Sequence, residues 1–80
     1  MKIEINKELF VEELKKVLID KFGSVEVAKK MNIKIIENRI FEEMTTYVMN
    51  RYKEFYSDSL ADLINAKNYL ITECLEDIIS

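Results

Sequence analysis

The feature that most limits the fold of this chain is its shortage of residues that break regular backbone. Its 80 residues include no proline and a single glycine, Gly23. A chain of ordinary composition and this length would hold about four prolines and five or six glycines. Sandwiches, barrels and glycine-rich phosphate loops need those residues in their turns, whereas a helical domain does not. The sequence therefore predicts a mainly α protein.

Apolar residues recur at helical spacing from the N-terminal quarter of the chain onward. Asn6 is a suitable N-cap for the first helix, and Gly23 stands where a glycine commonly follows the last turn. The predicted core face of this helix is Phe10, Val11, Leu14, Val17, Leu18 and Phe22. Ser24 is the expected N-cap of a short second helix at residues 25–31, which Asn32 ends in the left-handed conformation.

Two further amphipathic stretches follow. The third helix is predicted to begin between residues 34 and 38 and to run to about Phe55, with Tyr52 at the edge of its core face. The cluster at residues 57–59 offers an N-cap for the fourth helix. The apolar face of that last helix comprises Leu60, Leu63, Ile64, Leu70, Ile71, Cys74, Leu75 and Ile78.

These elements predict one domain, residues 1–80, folded as a compact bundle of three long helices and one short helix. Residues 2–5 alternate polar and apolar side chains, and we expect them to form a short N-terminal β-strand or an arm. A lone strand needs a partner. The alternative is therefore an α+β fold in which residues 2–5 pair with residues 33–36.

The scarcity of catalytic residue types argues against an enzyme. The chain contains no histidine, which removes histidine-based triads and imidazole ligands for zinc or haem. Its one cysteine, Cys74, lies on the apolar side of the last helix and is expected to be a buried, reduced thiol. We expect no catalytic site, no metal and no cofactor.

Charge is unevenly distributed along a chain whose net charge is −3. The segment from residue 58 onward carries five carboxylates against one lysine, so the fourth helix is predicted to present an acidic, amide-rich outer face. Tyrosines at the edges of the core faces are typical contact residues in protein interfaces. The predicted partner-binding residues are Asp58, Asp62, Tyr69, Glu73, Glu76, Asp77, Tyr52 and Tyr56.

Two cations interrupt otherwise apolar stripes, Arg51 on the third helix and Lys67 on the fourth. A buried cation without a partner is costly. We therefore expect both side chains to pack their stems and keep their charged ends in water, or to pair with Asp58 or Glu54. In the alternative, each stripe is partly an interface where the cation meets an acidic group of a partner.

Small size, the missing catalytic groups and the acidic face together favour a non-catalytic protein–protein interaction module. Isoleucine, lysine and asparagine far outnumber alanine and arginine, as in genomes of low GC content. The expectation is an inhibitor or adaptor, encoded by a phage or mobile element, that docks on a larger protein of a bacterial host. No segment has the length of a membrane span or the apolar core of a signal peptide, so a cytoplasmic protein with no membrane partner is expected.

Two other functions stay open. Residues 24–41 could form a degenerate helix-turn-helix of a DNA-binding regulator, and its phosphate contacts would be Lys29, Lys30, Lys34 and Arg39. The carboxylates of Glu37, Glu42 and Glu43 on the same predicted helix make nucleic acid the less favoured partner. The other possibility is a self-assembling structural protein. Whichever function holds, we expect a homodimer, with a seam on the fourth helix formed by Leu60, Ile64, Ile71 and Ile78.

Overall fold

The first helix is defined by its two caps. The computed structural model describes the backbone of residues 4–79 and the side chains of residues 4–54 and 59–79, and in it α1 spans Lys7–Phe22. The Asn6 side chain accepts a hydrogen bond from the Leu9 N–H at 3.0 Å. Gly23 ends the helix with a φ of 89°, which a residue without a Cβ adopts freely. Both predicted caps are confirmed.

The second helix is shorter than predicted. Helix α2 spans Val25–Lys29, and the Ser24 hydroxyl caps it by accepting from the Val27 N–H at 3.1 Å. Asn32 does not adopt the left-handed conformation, because its φ is −65°. Its side chain instead accepts a hydrogen bond from the Lys34 N–H at 2.8 Å. A short polar acceptor can serve either role, and here Asn32 starts the next helix.

Helix α3 spans Ile33–Arg51, so it begins just before the predicted window and ends four residues before Phe55. Tyr52 leaves the helical conformation with φ −116° and ψ 45°, and a short 3₁₀ turn follows at Lys53–Phe55. Because the chain changes direction at Tyr52, the helical spacing of α3 does not predict which of the following residues face the core.

Helix α4 spans Tyr56–Ile79 and its backbone leaves helical geometry at Ser59, with φ −140° and ψ 28°. Ser59 belongs to the cluster predicted to cap this helix. The long regular part of α4 therefore begins at Leu60, directly after the predicted cap.

The mainly α prediction is confirmed: the described chain consists of four α-helices and one 3₁₀ turn, with no strand within residues 4–79. The α+β alternative is wrong, because residues 33–36 form the first turn of α3. Lys2 and Ile3 lie outside the described residues, while Ile5 packs against the core.

One hydrophobic cluster joins all four helices. Its buried members are Phe10, Leu14, Val17, Leu18, Ala28, Ile36, Ile40, Met44, Val48, Tyr52, Leu63, Ile71, Cys74 and Leu75. Helix α3 packs against both α1 and α4. Helices α1 and α3 are antiparallel. Asn6, just before α1, bonds Tyr52, just after α3, whereas Phe10 further along α1 packs against Tyr47 further back in the chain. Within residues 4–79, no helix combines the length and apolar content that crossing a membrane requires.

Candidate binding site

The predicted outer face of α4 is partly exposed. Tyr69 exposes 71% of its surface, and Asp62, Glu76 and Asp77 are also exposed, whereas Glu73 is half-buried. These residues therefore remain available for contact with a partner. Their positions alone do not show that they bind one.

A lysine of α1 neutralises part of this acidic face. The Lys7 Nζ lies 2.8 Å from Glu73 Oε1 and 4.0 Å from Asp77 Oδ2. The hydrogen bond to Glu73 raises the pKa of Lys7 above its ordinary value. Carboxylates at the C-terminal end of a helix are disfavoured by the helix dipole, and Lys7 offsets that effect within the chain. Less of the charge is left for an external partner.

Tyr52 is a core residue, which corrects its predicted place at an exposed edge. It is only 9% exposed, and its hydroxyl accepts a hydrogen bond from the Asn6 N–H at 2.9 Å. The prediction extended α3 past Arg51, where the helix in fact ends. The side chains of Tyr56 and Asp58 lie outside the described part of the structure.

The four cations predicted to contact nucleic acid are all exposed: Lys29, Lys30, Lys34 and Arg39. Two of them have contacts within the chain. The Lys29 Nζ lies 3.7 Å from Glu26 Oε1, and the Arg39 guanidinium lies 5.8 Å from the centroid of the Phe22 ring. The DNA-binding alternative stays a prediction.

Lys67 overturns the expectation that its charged end reaches water. The residue is fully buried. Its Nζ donates a hydrogen bond to Thr45 Oγ1 at 2.8 Å and lies 3.9 Å from the centroid of the Phe41 ring. Among the described side chains it forms no ion pair with a carboxylate. Burial lowers the pKa of Lys67. Arg51, the other predicted interruption, is exposed as expected.

A groove with a volume of about 940 Å³ lies between α1 and α3. We call it the α1–α3 groove. Its lining residues are Glu13, Lys16, Val17, Asp20, Glu42, Glu43, Thr46, Tyr47, Asn50 and Arg51. Val17 is the one aliphatic side chain in this set, so the groove is mainly polar.

Helical spacing gives the groove its two walls. The α1 residues stand at intervals of three and four along one flank of the helix, and the α3 residues repeat as adjacent pairs every fourth position. Val17 is buried and Tyr47 is half-buried. The Tyr47 ring packs edge-to-face on Phe10, with centroids 6.3 Å apart, which anchors the groove to the core. Burial raises the pKa of the Tyr47 phenol.

An ion pair lies at one end of the groove. The Lys21 Nζ is 2.6 Å from Glu43 Oε1, and each side chain is about one-third exposed. The hydrogen bond from Lys21 lowers the pKa of Glu43, so this carboxylate is ionised at neutral pH. Its other oxygen, Oε2, is shut off from solvent and has no hydrogen-bond donor among the described residues.

The α1–α3 groove is the surface that the sequence did not predict. Each helix by itself shows only a polar flank beside an apolar stripe, which is typical of any amphipathic helix. The groove arises from the pairing of two such flanks, and that pairing depends on how α1 crosses α3. On α1, the one available sequence signal was that carboxylates alternate with Lys16. A helix face that is simply exposed to water shows the same alternation, so this signal does not identify a binding surface.

Cys74 borders a second, smaller cavity of about 410 Å³ between α1, α2 and α4. The thiol is 1% exposed, and burial raises its pKa, so the predicted buried thiol is confirmed. A reactive cysteine typically has a lowered pKa, which is the opposite of the shift at Cys74. In the part of the chain that the structure describes, no three carboxylate or thiol groups are arranged to hold a metal ion.

The chain was compared with protein-family models, with curated proteins and with solved structures, and none of them matches it. Any proposal about function therefore depends on the chain's own geometry, above all on the α1–α3 groove.

Proposed function

We propose that this chain is a non-catalytic protein-binding module, which receives a segment of a larger protein in the α1–α3 groove. The observation that carries the proposal is the groove itself, about 940 Å³ in volume and lined by charged and amide side chains around Tyr47. In this role the chain acts as an inhibitor of its partner or as an adaptor.

The polarity of the lining favours a protein segment over a small molecule. Pockets for small ligands are lined mainly by apolar and aromatic side chains, whereas here Val17 and Tyr47 are surrounded by charged and amide groups. Aromatic side chains such as Tyr47 are enriched among the residues that contribute most to protein–protein binding, and a polar rim commonly surrounds them. The absence of histidine from the sequence further supports binding without catalysis.

Site-specific photo-crosslinking tests both the function and its place. A photoreactive amino acid at Thr46, an exposed groove position, is compared with the same group at Asn68 on the outer face of α4. After irradiation in a lysate of a low-GC bacterium, we expect one discrete adduct from position 46 that is absent from position 68.

Two results would count against the proposal. Adducts formed only from position 68 would move the binding surface to the acidic face of α4. Failure of both positions to form a discrete adduct would remove the support for a protein-binding module, whereas an adduct of the chain with itself would favour self-assembly.

A further inference from the structure

We propose that the cavity between α1, α2 and α4 binds an aliphatic carboxylate, with the hydrocarbon chain inside the cavity and the carboxylate at Lys15. This cavity has a volume of about 410 Å³ and shares no lining residue with the α1–α3 groove. Pockets for small ligands have volumes of about 300–1,000 Å³. The proposal concerns a second site and does not depend on the proposed function, so either can fail without the other.

The walls of the cavity are mainly apolar. Val11 of α1 and Ile78 of α4 are half-buried and pack against the core, and Cys74 beside them is buried. Val25, the first residue of α2, is also half-buried. Apolar walls with few polar groups are typical of small-molecule sites, whereas the α1–α3 groove is mainly polar. The composition of this cavity therefore favours a ligand with a hydrocarbon part.

Three charged side chains complete the lining, and only one of them lacks a counterion. Asp77 Oδ2 lies 4.0 Å from Lys7 Nζ, and Lys29 Nζ lies 3.7 Å from Glu26 Oε1. Lys15 is exposed and forms no ion pair within the part of the chain that the structure describes. When the neighbouring charges are counted, the cavity therefore keeps one uncompensated charge, and that charge is positive.

An apolar cavity with one free cation at its edge fits an amphiphilic anion. A hydrocarbon chain against Val11, Val25 and Ile78 would remove apolar surface from water, which is favourable in proportion to the area covered. The methylene stem of Lys15 can lie along that chain while its ammonium stays in water. An ion pair exposed to water adds only modestly to binding. The hydrocarbon thus supplies most of the affinity, and Lys15 selects the charge of the head group.

The test compares three ligands with the same hydrocarbon chain: octanoate, octanol and octylamine. Each is titrated into the full chain with ¹³C-labelled valine and isoleucine methyl groups. We expect octanoate to give saturable chemical-shift changes at Val11, Val25 and Ile78. Octanol should bind more weakly, and octylamine most weakly, because its ammonium repels Lys15. The methyl groups of Val17, which line the α1–α3 groove, should not shift.

A matched pair of variants on α2 tests the place of binding. Val25 lines the cavity, whereas Val27 is outside its lining and 47% exposed. Val25→Trp should fill the cavity with an indole ring and abolish octanoate binding. Val27→Trp should leave the affinity for octanoate unchanged. Circular dichroism shows whether both variants keep their helix content.

A second pair of variants tests the charge at exposed positions, where replacement hardly affects folding. Lys15→Gln should weaken octanoate binding about two- to fivefold and leave octanol binding unchanged. Lys30→Gln removes an exposed lysine outside the cavity lining and should change neither. This pair keeps the proposal testable if Val25→Trp does not fold.

Several outcomes overturn the proposal. The absence of saturable shifts at millimolar octanoate would show that the cavity is not a ligand site. Octylamine binding as tightly as octanoate, or equal effects of Lys15→Gln and Lys30→Gln, would show that Lys15 does not select a carboxylate. If the amphiphiles do not bind while the protein captured through position 46 shifts the same methyl groups, the cavity belongs to a protein interface instead.

Discussion

The two sides of α3 each contact a lysine of a neighbouring helix, but in opposite environments. Toward α1, Lys21 pairs with Glu43 at a surface where both side chains keep about one-third of their exposure. Toward α4, Lys67 is completely buried against Thr45 and Phe41. The pKa of Lys21 is raised by its hydrogen bond to Glu43, whereas burial lowers the pKa of Lys67. One flank leaves its lysine at the surface, and the other buries it.

The difference follows from which side chains meet at each interface. Along the α1 flank, charged and amide residues occupy the outer positions of both helices, and the space between them stays open as the α1–α3 groove. Along the α4 flank, Leu63 and Ile71 pack with the α3 stripe in the core. A binding surface is therefore expected along the outer edge of the α1–α3 interface, where charged and amide side chains line the space between the helices.

The largest expected effect comes from a cavity on the closed flank. Leu63 is completely buried, so Leu63→Ala should lower the free energy of unfolding by about 2–5 kcal/mol. Thr46→Ala, at an exposed position of the open flank, should change it by no more than about 0.5 kcal/mol. Urea denaturation of both variants measures the contrast. Similar losses in the two variants would show that position 46 is packed as tightly as Leu63, which would contradict an open groove there.

The buried lysine provides the next test. Lys67→Met keeps a long stem and removes a cation that lacks a carboxylate among the described residues, so it should stabilise the fold by about 1–2 kcal/mol. Thr45→Val removes the hydroxyl that accepts from Lys67 and should destabilise it by about 1–3 kcal/mol. A clear loss of stability in Lys67→Met would mean that the ammonium makes a net favourable contact.

The two lysines should also differ in alkaline solution. The pKa of Lys67 lies below its ordinary value of 10.5, so the unfolded chain binds the extra proton and the penalty for burying the cation is relieved as the pH rises toward 10.5. The raised pKa of Lys21 has the opposite effect, because its stabilisation is present below 10.5 and is lost above it. In Lys67→Met, the increase in stability between neutral pH and 10.5 should disappear. An unchanged pH profile would contradict the burial of the amine.

The smallest effect is expected for the exposed ion pair. Lys21→Gln removes a partner of Glu43 at a site that water reaches, and exposed pairs contribute little to stability. Thermal unfolding should barely change at moderate salt. A large drop in the midpoint of thermal unfolding would mean that the Lys21–Glu43 pair serves to hold α1 and α3 together rather than to bind a partner.

The sequence predicted what depends on neighbouring residues. Asn6, Gly23 and Ser24 cap their helices as expected, because caps depend on a few adjacent peptide groups. Asn32 was assigned to the wrong helix end, since the same side chain can fill either role. The predicted dimer seam included Ile71, which is only 4% exposed and belongs to the chain's own core. The dimer itself stays a prediction.

What the sequence could not supply are contacts between distant residues. The burial of Lys67 depends on Thr45 and Phe41, which lie on another helix. Sequence spacing correctly placed Lys67 on the apolar face of α4, but it did not predict that the ammonium group would be buried. The ion pair of Glu43 likewise depends on Lys21, which lies on α1 rather than on α3. Helix faces follow from periodicity, whereas a site follows from how those faces meet.

The most direct test of the central claim, that the open flank of the bundle binds a protein segment, is an NMR titration of the ¹⁵N-labelled chain with the protein captured by the photo-crosslink at position 46. We expect chemical-shift changes confined to the amides of residues 13–20 and 42–51, which line the groove. Amides on the outer face of α4, such as Asn68 and Tyr69, should stay unchanged. Shifts centred on that face, with the groove unaffected, would contradict the claim.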